Sequence, residues 1–578
     1  MARAWLRPMR SCAVAVLLLA GCAGPAAPDA ARVADQPSRA MATVYGAAGR
    51  VSGSLAVLDT GNGRWMIDCG AEMLETTGPD SPPAQPPTAP PDSLPVDPKT
   101  ITAAFITHAH TDHVGRLPLL VEGGFRGPIF LTPATAELLP VMLHMQVRYD
   151  RGRTRDWAWS RQSLERARAG GRLLSVHWHA ACRYRAAIAP ANLRSAQCSL
   201  DALADRFQRE GQPVQVAPCQ RCAEEEVAAI VACCRRVEYE RPWEVARGVR
   251  VTLRDAGHIP GSASVLFEVT VEGRERRVLF SGDVGNDLSA LFAGPRPAPA
   301  ADAVFLETTY GPTLRDPSVL EERAEFRRAV GEAVRRGHVA WIPVFALDRT
   351  QKILYELHVA QRERLLPDGV PIYCASSTAR ELTVVYRKHQ QAGWFREEVA
   401  SDPEAWSPRG LRASASLPKN LPRPCVLLTT SGMMDQGWSR QMVDRLLPDE
   451  AVSVFLVGYQ EPSSPGGLLK KAVGLMAEGT RDQAGRAPPA AKRPRDPVLE
   501  LDGRRIAVRA AVRAYRCFSG HADAKEMDAW LARVPPNAPL ILVHGGPWEL
   551  SARAAQLRDR GRKRVVVAAP GRPIDLLE

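Results

Sequence analysis

Histidine is scarce in this chain, 12 of 578 residues, so any cluster of it stands out from background. Acidic residues do not dominate either: 63 Asp and Glu stand against 75 Lys and Arg, for a formal charge of +12 and a pI near 9.3. Such a balance attracts a polyanion in a salt-dependent way, although arginine- and alanine-rich compositions acquire it without any function. The apolar run from Ala13 to Ala20 is too short to span a bilayer as a helix. What the chain does have is length and apolar content: 45% hydrophobic residues over 578 positions can fill more than one core. Short apolar runs alternating with helical patterns predict an α/β architecture.

The scarce histidines gather in Thr107-His108-Ala109-His110-Thr111-Asp112-His113. Three imidazoles and a carboxylate within six residues follow the run Ile101 to Ile106, which reads as a short buried strand. The cluster therefore sits on the turn leaving a strand, where reactive groups collect. His108 and His110, two apart, can converge on one ion while Asp112 and His113 turn toward a second. Imidazole with carboxylate suits zinc, and an open coordination position would make the ion catalytic.

The HxHxDH pattern resembles the signature of the metallo-β-lactamase superfamily, and further landmarks follow in order. Asp68, ending the strand Trp65-Met66-Ile67, matches the early aspartate that orients the metal site. His258 in Ala256-Gly257-His258-Ile259-Pro260-Gly261-Ser262 matches the next histidine, and Asp283 in Phe280-Ser281-Gly282-Asp283 the bridging carboxylate. The resemblance implies two catalytic zinc ions, one held by His108, His110, His258 and Asp283, the other by Asp112, His113, Asp283 and a later histidine. Beyond Asp283 come Leu306-Glu307-Thr308-Thr309-Tyr310-Gly311, Phe518-Ser519-Gly520-His521-Ala522-Asp523 and Leu542-Val543-His544-Gly545. This series is similar to the β-CASP family of RNA- and DNA-processing nucleases, with Glu307 as its motif A, His521 as motif B and His544 as motif C and the later zinc ligand. The implied fold is a four-layer αββα metallo-β-lactamase domain with an inserted α/β β-CASP cap, the active site lying in the cleft between them.

The chemistry fits phosphodiester hydrolysis. Paired zinc ions lower the pKa of a water and neutralise charge on phosphate oxygens. Asp112 stands among the groups around that water. The leaving oxygen needs a proton, and His521 paired with Glu307 is the candidate general acid, since a carboxylate partner holds an imidazole protonated and aimed. The bland readings are a turn-capping carboxylate for Glu307 and a satisfied core histidine for His521. For phosphate, Ser431 and Gly432 at a strand end, opening a helix through Ser439 to Leu447, could offer backbone N–H groups. Ser376, in Ser376-Ser377 after the strand Pro371-Ile372-Tyr373, is a second candidate of equal standing with an ordinary turn. Arg349 sits where the family carries a basic residue, but Asp348 replaces the usual glycine, which puts the local backbone geometry in doubt.

The expected boundaries are a lipoprotein-type signal at 1–22, a linker at 23–40, the first part of the metallo-β-lactamase domain at 41–315, the cap at 316–495, and the return at 496–578. Three segments depart from the family pattern. Pro79 to Pro98 is a proline-rich surface loop, and Ala484 to Pro497 a flexible basic one. The stretch from about 148 to 226 is long and holds His177, His179, Cys182, Cys198, Cys219 and Cys222. Cys219-Gln220-Arg221-Cys222 has the spacing of half a zinc site, and Cys182 with Cys198 would complete four thiolates for a structural zinc, against disulfides or free thiols.

Arg3, Arg7 and Arg10, the apolar run, and Leu19-Ala20-Gly21-Cys22 form a bacterial lipoprotein signal, with Cys22 lipidated after cleavage. That reading puts the protein on a lipid anchor on the periplasmic or outer-membrane side. The rival is a cytoplasmic protein starting at Met41, just before Ala42-Thr43-Val44-Tyr45-Gly46; the intact box favours the anchor. Of the 12 cysteines, Cys12 leaves with the signal and Cys22 takes the lipid, so parity separates nothing. The chain ends about thirty residues after His544, without the added C-terminal domain of the J-type ribonucleases. The expected activity is zinc-dependent cleavage of single-stranded RNA, endonucleolytic, with exonuclease action left open by the motifs. The alternatives are hydrolysis of DNA or of a non-nucleic-acid substrate outside the cytoplasm, and an inactive binding scaffold. Monomer and homodimer both stay open.

Overall fold

The computed structural model of the chain describes residues 37–72, 93–153, 220–315, 318–475 and 495–577. The signal-like segment with Cys22, the linker up to residue 36, the proline-rich stretch up to residue 92, the basic loop up to residue 494, His177, His179, Cys182, Cys198, Cys219 and the side chain of Cys222 lie outside the described residues.

Two seven-stranded sheets form the centre. The first runs in spatial order Pro573–Asp575, Met41–Gly46, Leu55–Asp59, Arg64–Ile67, Ala103–Phe105, Ile129–Leu131, Cys234–Arg236. The second runs Val565–Val567, Leu540–Val543, Ala303–Glu307, Arg274–Phe280, Ala263–Val271, Val249–Asp255, Trp243–Ala246. Their inner faces meet through Leu58, Trp65 and Phe105 on one side and Val251, Phe267 and Phe280 on the other, with Phe105 and Phe267 edge to face at 5.0 Å. The outer face of the first sheet is covered by Leu117, Leu120, Leu139 and Leu143 from helices, and that of the second by Met527, Trp530, Leu550 and Leu557. The central strands thus bury both faces, which is why Ala103–Phe105 and residues 303–306 are apolar runs without alternation, while the edge strands such as Val565–Val567 stay partly exposed. The layering is the αββα expected.

A third sheet builds the cap. Its six strands, all parallel, lie in the order Leu411–Ala413, Ile372–Ala375, Cys425–Thr429, Val339–Pro343, Val452–Leu456, Ala511–Ala514. Alternate residues of Val339–Pro343 go to opposite faces: Ala340 and Ile342 pack with Phe326 and Leu354, Val339 and Trp341 with Met442 and Leu469. Parallel strands put all their C-terminal ends on one edge, and the chain leaves that edge toward His521.

The expected return to the first domain at residue 496 is corrected. Ala511–Ala514 is the edge strand of the cap sheet, paired with Val452–Leu456, and the hairpin Val498–Leu501 with Arg504–Ala507 buries Leu499, Leu501 and Ile506 against the same cluster as Leu469. The crossing back follows residue 514. No described helix is long and apolar enough to cross a membrane.

Candidate metal centre

The turn that carries His108 to His113 is pinned before any side chain acts. Three backbone bonds hold it, two from the segment after Ile67, Cys69 N to His113 O (2.8 Å) and Ala71 N to Thr111 O (3.0 Å), and one from the residue before Leu55–Asp59, Ser54 N to Asp112 O (2.8 Å). Two residues at the site take left-handed backbone, Asp68 at φ 58° and His544 at φ 54°, a conformation that costs free energy in non-glycine residues and gathers at functional sites. Gly520 is needed for close approach, because a Cβ there would lie 2.8 Å from Cε1 of His258.

These constraints bring two donor sets together among the described residues: His108, His110, His258 and Asp283, and beside them Asp112, His113 and His544. In the first, His108 Nε2 lies 3.0 Å from His110 Nδ1, His258 Nε2 3.3 Å from the same nitrogen, and Asp283 Oδ2 3.5 and 3.6 Å from His108 and His258. In the second, His113 Nε2 and His544 Nε2 are 3.3 Å apart, and Asp112 Oδ2 is 3.9 and 3.5 Å from them. The other oxygen of Asp283, Oδ1, faces this second set, 3.3 Å from His113 and 3.6 Å from His544. A tetrahedral zinc with bonds of ~2.0–2.1 Å spaces its ligand atoms about 3.3 Å apart, so the donors fit the ion. Asp283 Oδ1 is buried with no hydrogen bond of good geometry, which an ion beside it would resolve. The expected donors fall into these two sets, and Asp283 turns one oxygen toward each.

The outer nitrogens of four ligands are fixed. His113 Nδ1 meets Asp68 Oδ2 at 2.7 Å, and Asp68 in turn accepts from Thr107 N and Thr107 Oγ1 (2.8 and 2.9 Å). His108 Nδ1 is 3.0 Å from Thr107 Oγ1, His258 Nδ1 donates to Gly520 O at 3.1 Å, and His544 Nδ1 lies 3.0 Å from Thr309 Oγ1. Such contacts settle the tautomer and aim the ring. Asp68 thus holds the His113 ring by its outer nitrogen.

Charge divides the two sets. Burial pushes His108, His110 and His258 below the ordinary imidazole value. Burial acts the same way on His113 and His544, yet the carboxylates outweigh it: Asp283, Asp68 and Asp112 raise His113 well above that value, and Asp283 with Asp112 raises His544. Burial alone would raise Asp283, but His544, His113 and His108 bring it well below the usual carboxylate range.

Glu307, at the end of its strand, is buried; its Oε1 lies 3.2 Å from His521 Nδ1 and accepts from Val284 N, while Oε2 accepts from Thr309 N. It both caps turns and aims His521, so the two readings of the residue coexist. The His521 ring is partly open to solvent and 4.7 Å from that of His258. Sequence reasoning missed what holds this loop. Arg315 donates from Nη2 to His521 O and from Nη1 to Glu526 Oε2 (3.0 Å), its backbone N–H donates to Asp523 (2.7 Å), and its guanidinium lies 5.0 Å over the Tyr310 ring. Asn286 donates to Ser519 O and His521 O from the other side (2.9 and 3.3 Å). The signal was an arginine eight residues after Glu307, which no motif marks.

The phosphate candidates fare differently. Ser431 does not open a helix: the helix is Gly437–Leu446, Ser431 N donates to Gln436 O (3.3 Å) and its hydroxyl is held by Asp435. The expectation is corrected, since both of its donors serve the loop. Ser376 is the N-cap of the helix Ser377–Lys388, its hydroxyl accepting from Ala379 N at 3.1 Å. Arg349 begins the helix Arg349–Arg362 on the C-terminal edge of the cap sheet. Asp348 adopts φ 67° without glycine's freedom, and its carboxylate is secured by Lys352 Nζ at 2.6 Å and Tyr386 OH at 3.3 Å. An aspartate thus holds the positive-φ turn that leads into this helix.

Comparison with known proteins agrees with this geometry. Family models match for the metallo-β-lactamase superfamily at residues 48–125, the β-CASP domain at 350–469 and the zinc-dependent metallo-hydrolase RNA specificity domain at 505–568. The chain is 27% identical over 529 residues to a ribonuclease of Thermus thermophilus, covering 90% of this chain and 96% of the relative. It is 24% identical to the transcription termination factor FttA of Methanosarcina mazei, over 87% of this chain and 66% of that protein. With cleavage and polyadenylation specificity factor subunit 3 of Dictyostelium discoideum it shares 27% identity over 55% of this chain and 37% of that one. Three family models in order along one chain, with the two donor sets assembled, give the protein the domain make-up of the β-CASP branch of the metallo-β-lactamase superfamily.

Proposed function

We propose that the protein is a ribonuclease that hydrolyses phosphodiester bonds of single-stranded RNA, cutting within the strand, with two zinc ions. The observation that carries the reading is Asp283, whose two oxygens face two separate donor sets while His521, aimed by Glu307, stands beside both. Relatives named as ribonucleases and endoribonucleases, and the match to an RNA specificity domain, support RNA as the substrate. Zinc bound by these donors would supply Lewis acidity at the phosphate oxygens and a water of lowered pKa.

The chain's own residues do the rest. Asp68 and Thr107 hold the histidines of the turn in one tautomer, so the donor geometry exists before metal arrives. With Nδ1 of His521 turned to Glu307, Nε2 is the nitrogen left to give a proton to the leaving sugar oxygen. The carbonyl of His521 is gripped by Arg315 and Asn286, which fixes where that proton is delivered.

The test is incubation of the zinc-loaded protein with internally labelled single-stranded RNA and DNA, with and without chelator. Chelator-sensitive internal fragments from RNA are expected. Two bound zinc ions with no cutting of RNA would overturn the reading, and cutting of DNA alone would move it to the rival substrate.

We further propose that Cys22 anchors the enzyme through lipid, on the strength of the Leu19-Ala20-Gly21-Cys22 box. N-terminal mass analysis of the native protein should find a lipidated cysteine; an N-terminus at Met41 would overturn it.

A further inference from the structure

The C-terminal edge of the cap's parallel sheet is where an open α/β sheet receives a ligand. Along it lie Phe345 to Arg349 after Val339–Pro343, Ser431 and Gly432 after Cys425–Thr429, Val457 to Gln460 after Val452–Leu456, and Tyr515 to His521 after Ala511–Ala514. The third of these loops is closely packed and bonded to its neighbours. Gln460, buried, donates from Nε2 to Gly432 O (2.9 Å) and Gly458 O (3.2 Å), and Gly458 is packed so closely that a Cβ would lie 2.8 Å from the Phe345 ring and 3.6 Å from Arg349 Nη1. Yet Tyr459 between them is 46% exposed, and it is the only aromatic among the large hydrophobic residues left exposed in the described residues.

A single exposed apolar side chain needs no explanation on its own. Its position does the arguing. The strand before Tyr459 pairs with the strand that leads to His521, with Leu456 opposite Ala514, so Tyr459 and His521 leave adjacent parallel strands at the same edge. Arg349 opens the helix that follows the neighbouring strand, Val339–Pro343. An aromatic face presented by a fixed backbone, beside a guanidinium and on the same edge as the candidate general acid, is the arrangement that binds unpaired bases: the ring takes a base and the cation a phosphate.

We propose that Tyr459 is a stacking platform for one base of the single-stranded substrate, with Arg349 on the adjoining phosphate. The inference rests on the ribonuclease reading and adds the residue that sets the register of the strand. Stacking is tolerant of base identity, so the platform grips without reading sequence.

The experiment uses the zinc-loaded full chain and a labelled single-stranded RNA with one mapped cleavage position, together with a series in which each nucleotide in turn is abasic. Tyr459→Ala should raise KM about 5- to 100-fold, the loss falling on KM rather than kcat, and Tyr459→Leu should lose as much. Tyr459→Phe and Tyr459→Trp should stay near wild type, which separates an aromatic face from bulk. One abasic position should weaken wild type by the same factor and cost Tyr459→Ala nothing further. Equal KM values for wild type and Tyr459→Ala, a Leu variant as good as Phe, or abasic losses that add in full at every position would each overturn the proposal. Failure of the wild type to cleave any RNA would overturn the ribonuclease reading itself, a separate result.

Discussion

Asp283 is shared by two donor sets that differ in charge, and the difference has a measurable consequence. His108, His110 and His258 are pushed down by burial and enter metal binding already neutral, whereas His113 and His544 are raised by the carboxylates around them. A raised imidazole keeps its proton to higher pH than a free one, and its pairing with the surrounding carboxylates stabilises the ion-free fold below the ordinary imidazole value, fading as pH climbs through the raised one. An ion entering the second set must displace that proton, so its affinity rises with pH. Calorimetric zinc titrations in buffers of different ionisation enthalpy should show proton release with one ion and little with the other; equal release would contradict the division. A second prediction concerns Arg315. Arg315→Ala frees the His521 carbonyl and should lower kcat on RNA about 10- to 100-fold, while a phosphodiester with an activated leaving group, which needs no proton, loses far less. His521→Ala should show the same split, and unchanged zinc content confirms that the site is intact. The ligands were legible because each sits in a short motif whose spacing is chemically specific. Arg315 was not, because a lone arginine's partner is decided by the fold. Ser431 misled for a related reason: a serine at a strand end reads the same whether its donors face outward or serve its own turn.

At the scale of elements, the helices Val319–Arg335 and Arg349–Arg362 are tied by a buried charge. Glu356 is fully buried and receives Arg323 Nε at 2.8 Å and Arg327 Nη1 at 2.7 Å, with Arg327 also bonded to Glu363. Removing the central partner leaves Arg323 without a carboxylate and Arg327 with Glu363 alone, so Glu356→Ala should cost about 3 kcal/mol of stability, read from urea unfolding of the zinc-loaded protein. Glu356→Gln, which keeps acceptor capacity, should cost less. The helix expected near Ser431 starts at Gly437, although its body through Ser439 to Leu446 lies where the sequence put it. Apolar spacing locates the body of a helix, while its first turn is set by which groups take the orphan N–H donors.

For the whole molecule, an inserted cap suggests two units that could unfold apart, and the packing says otherwise. Ala109 and Ile259, beside the metal ligands His108, His110 and His258, share one apolar cluster with Leu347, Tyr386, Phe395 and Trp406 of the cap. Phe292, from the first domain, is fully buried within it, stacked on Phe395 at 5.2 Å and bridged to it through the backbone. Lys388 Nζ to Glu137 Oε1, at 2.7 Å, adds a partly exposed pair of small weight. The domain order was legible in the motifs. The shared core was not, nor the boundary after residue 514, because apolar residues in a strand do not announce which sheet they join. A continuous core makes the metal site and the cap one cooperative unit. Scanning calorimetry should therefore give a single transition for wild type, moved upward as a whole by saturating zinc. Phe292→Ala empties the centre of the junction and should cost about 3–5 kcal/mol, lowering that one transition rather than splitting off a separate cap melt. It should also weaken zinc binding, although Phe292 is no ligand, because the turn carrying His108 and His110 packs through Ala109 against the same cluster. Two resolved transitions, or a cap that melts early while zinc affinity stays at the wild-type value, would show that the cap and the metal domain are independent.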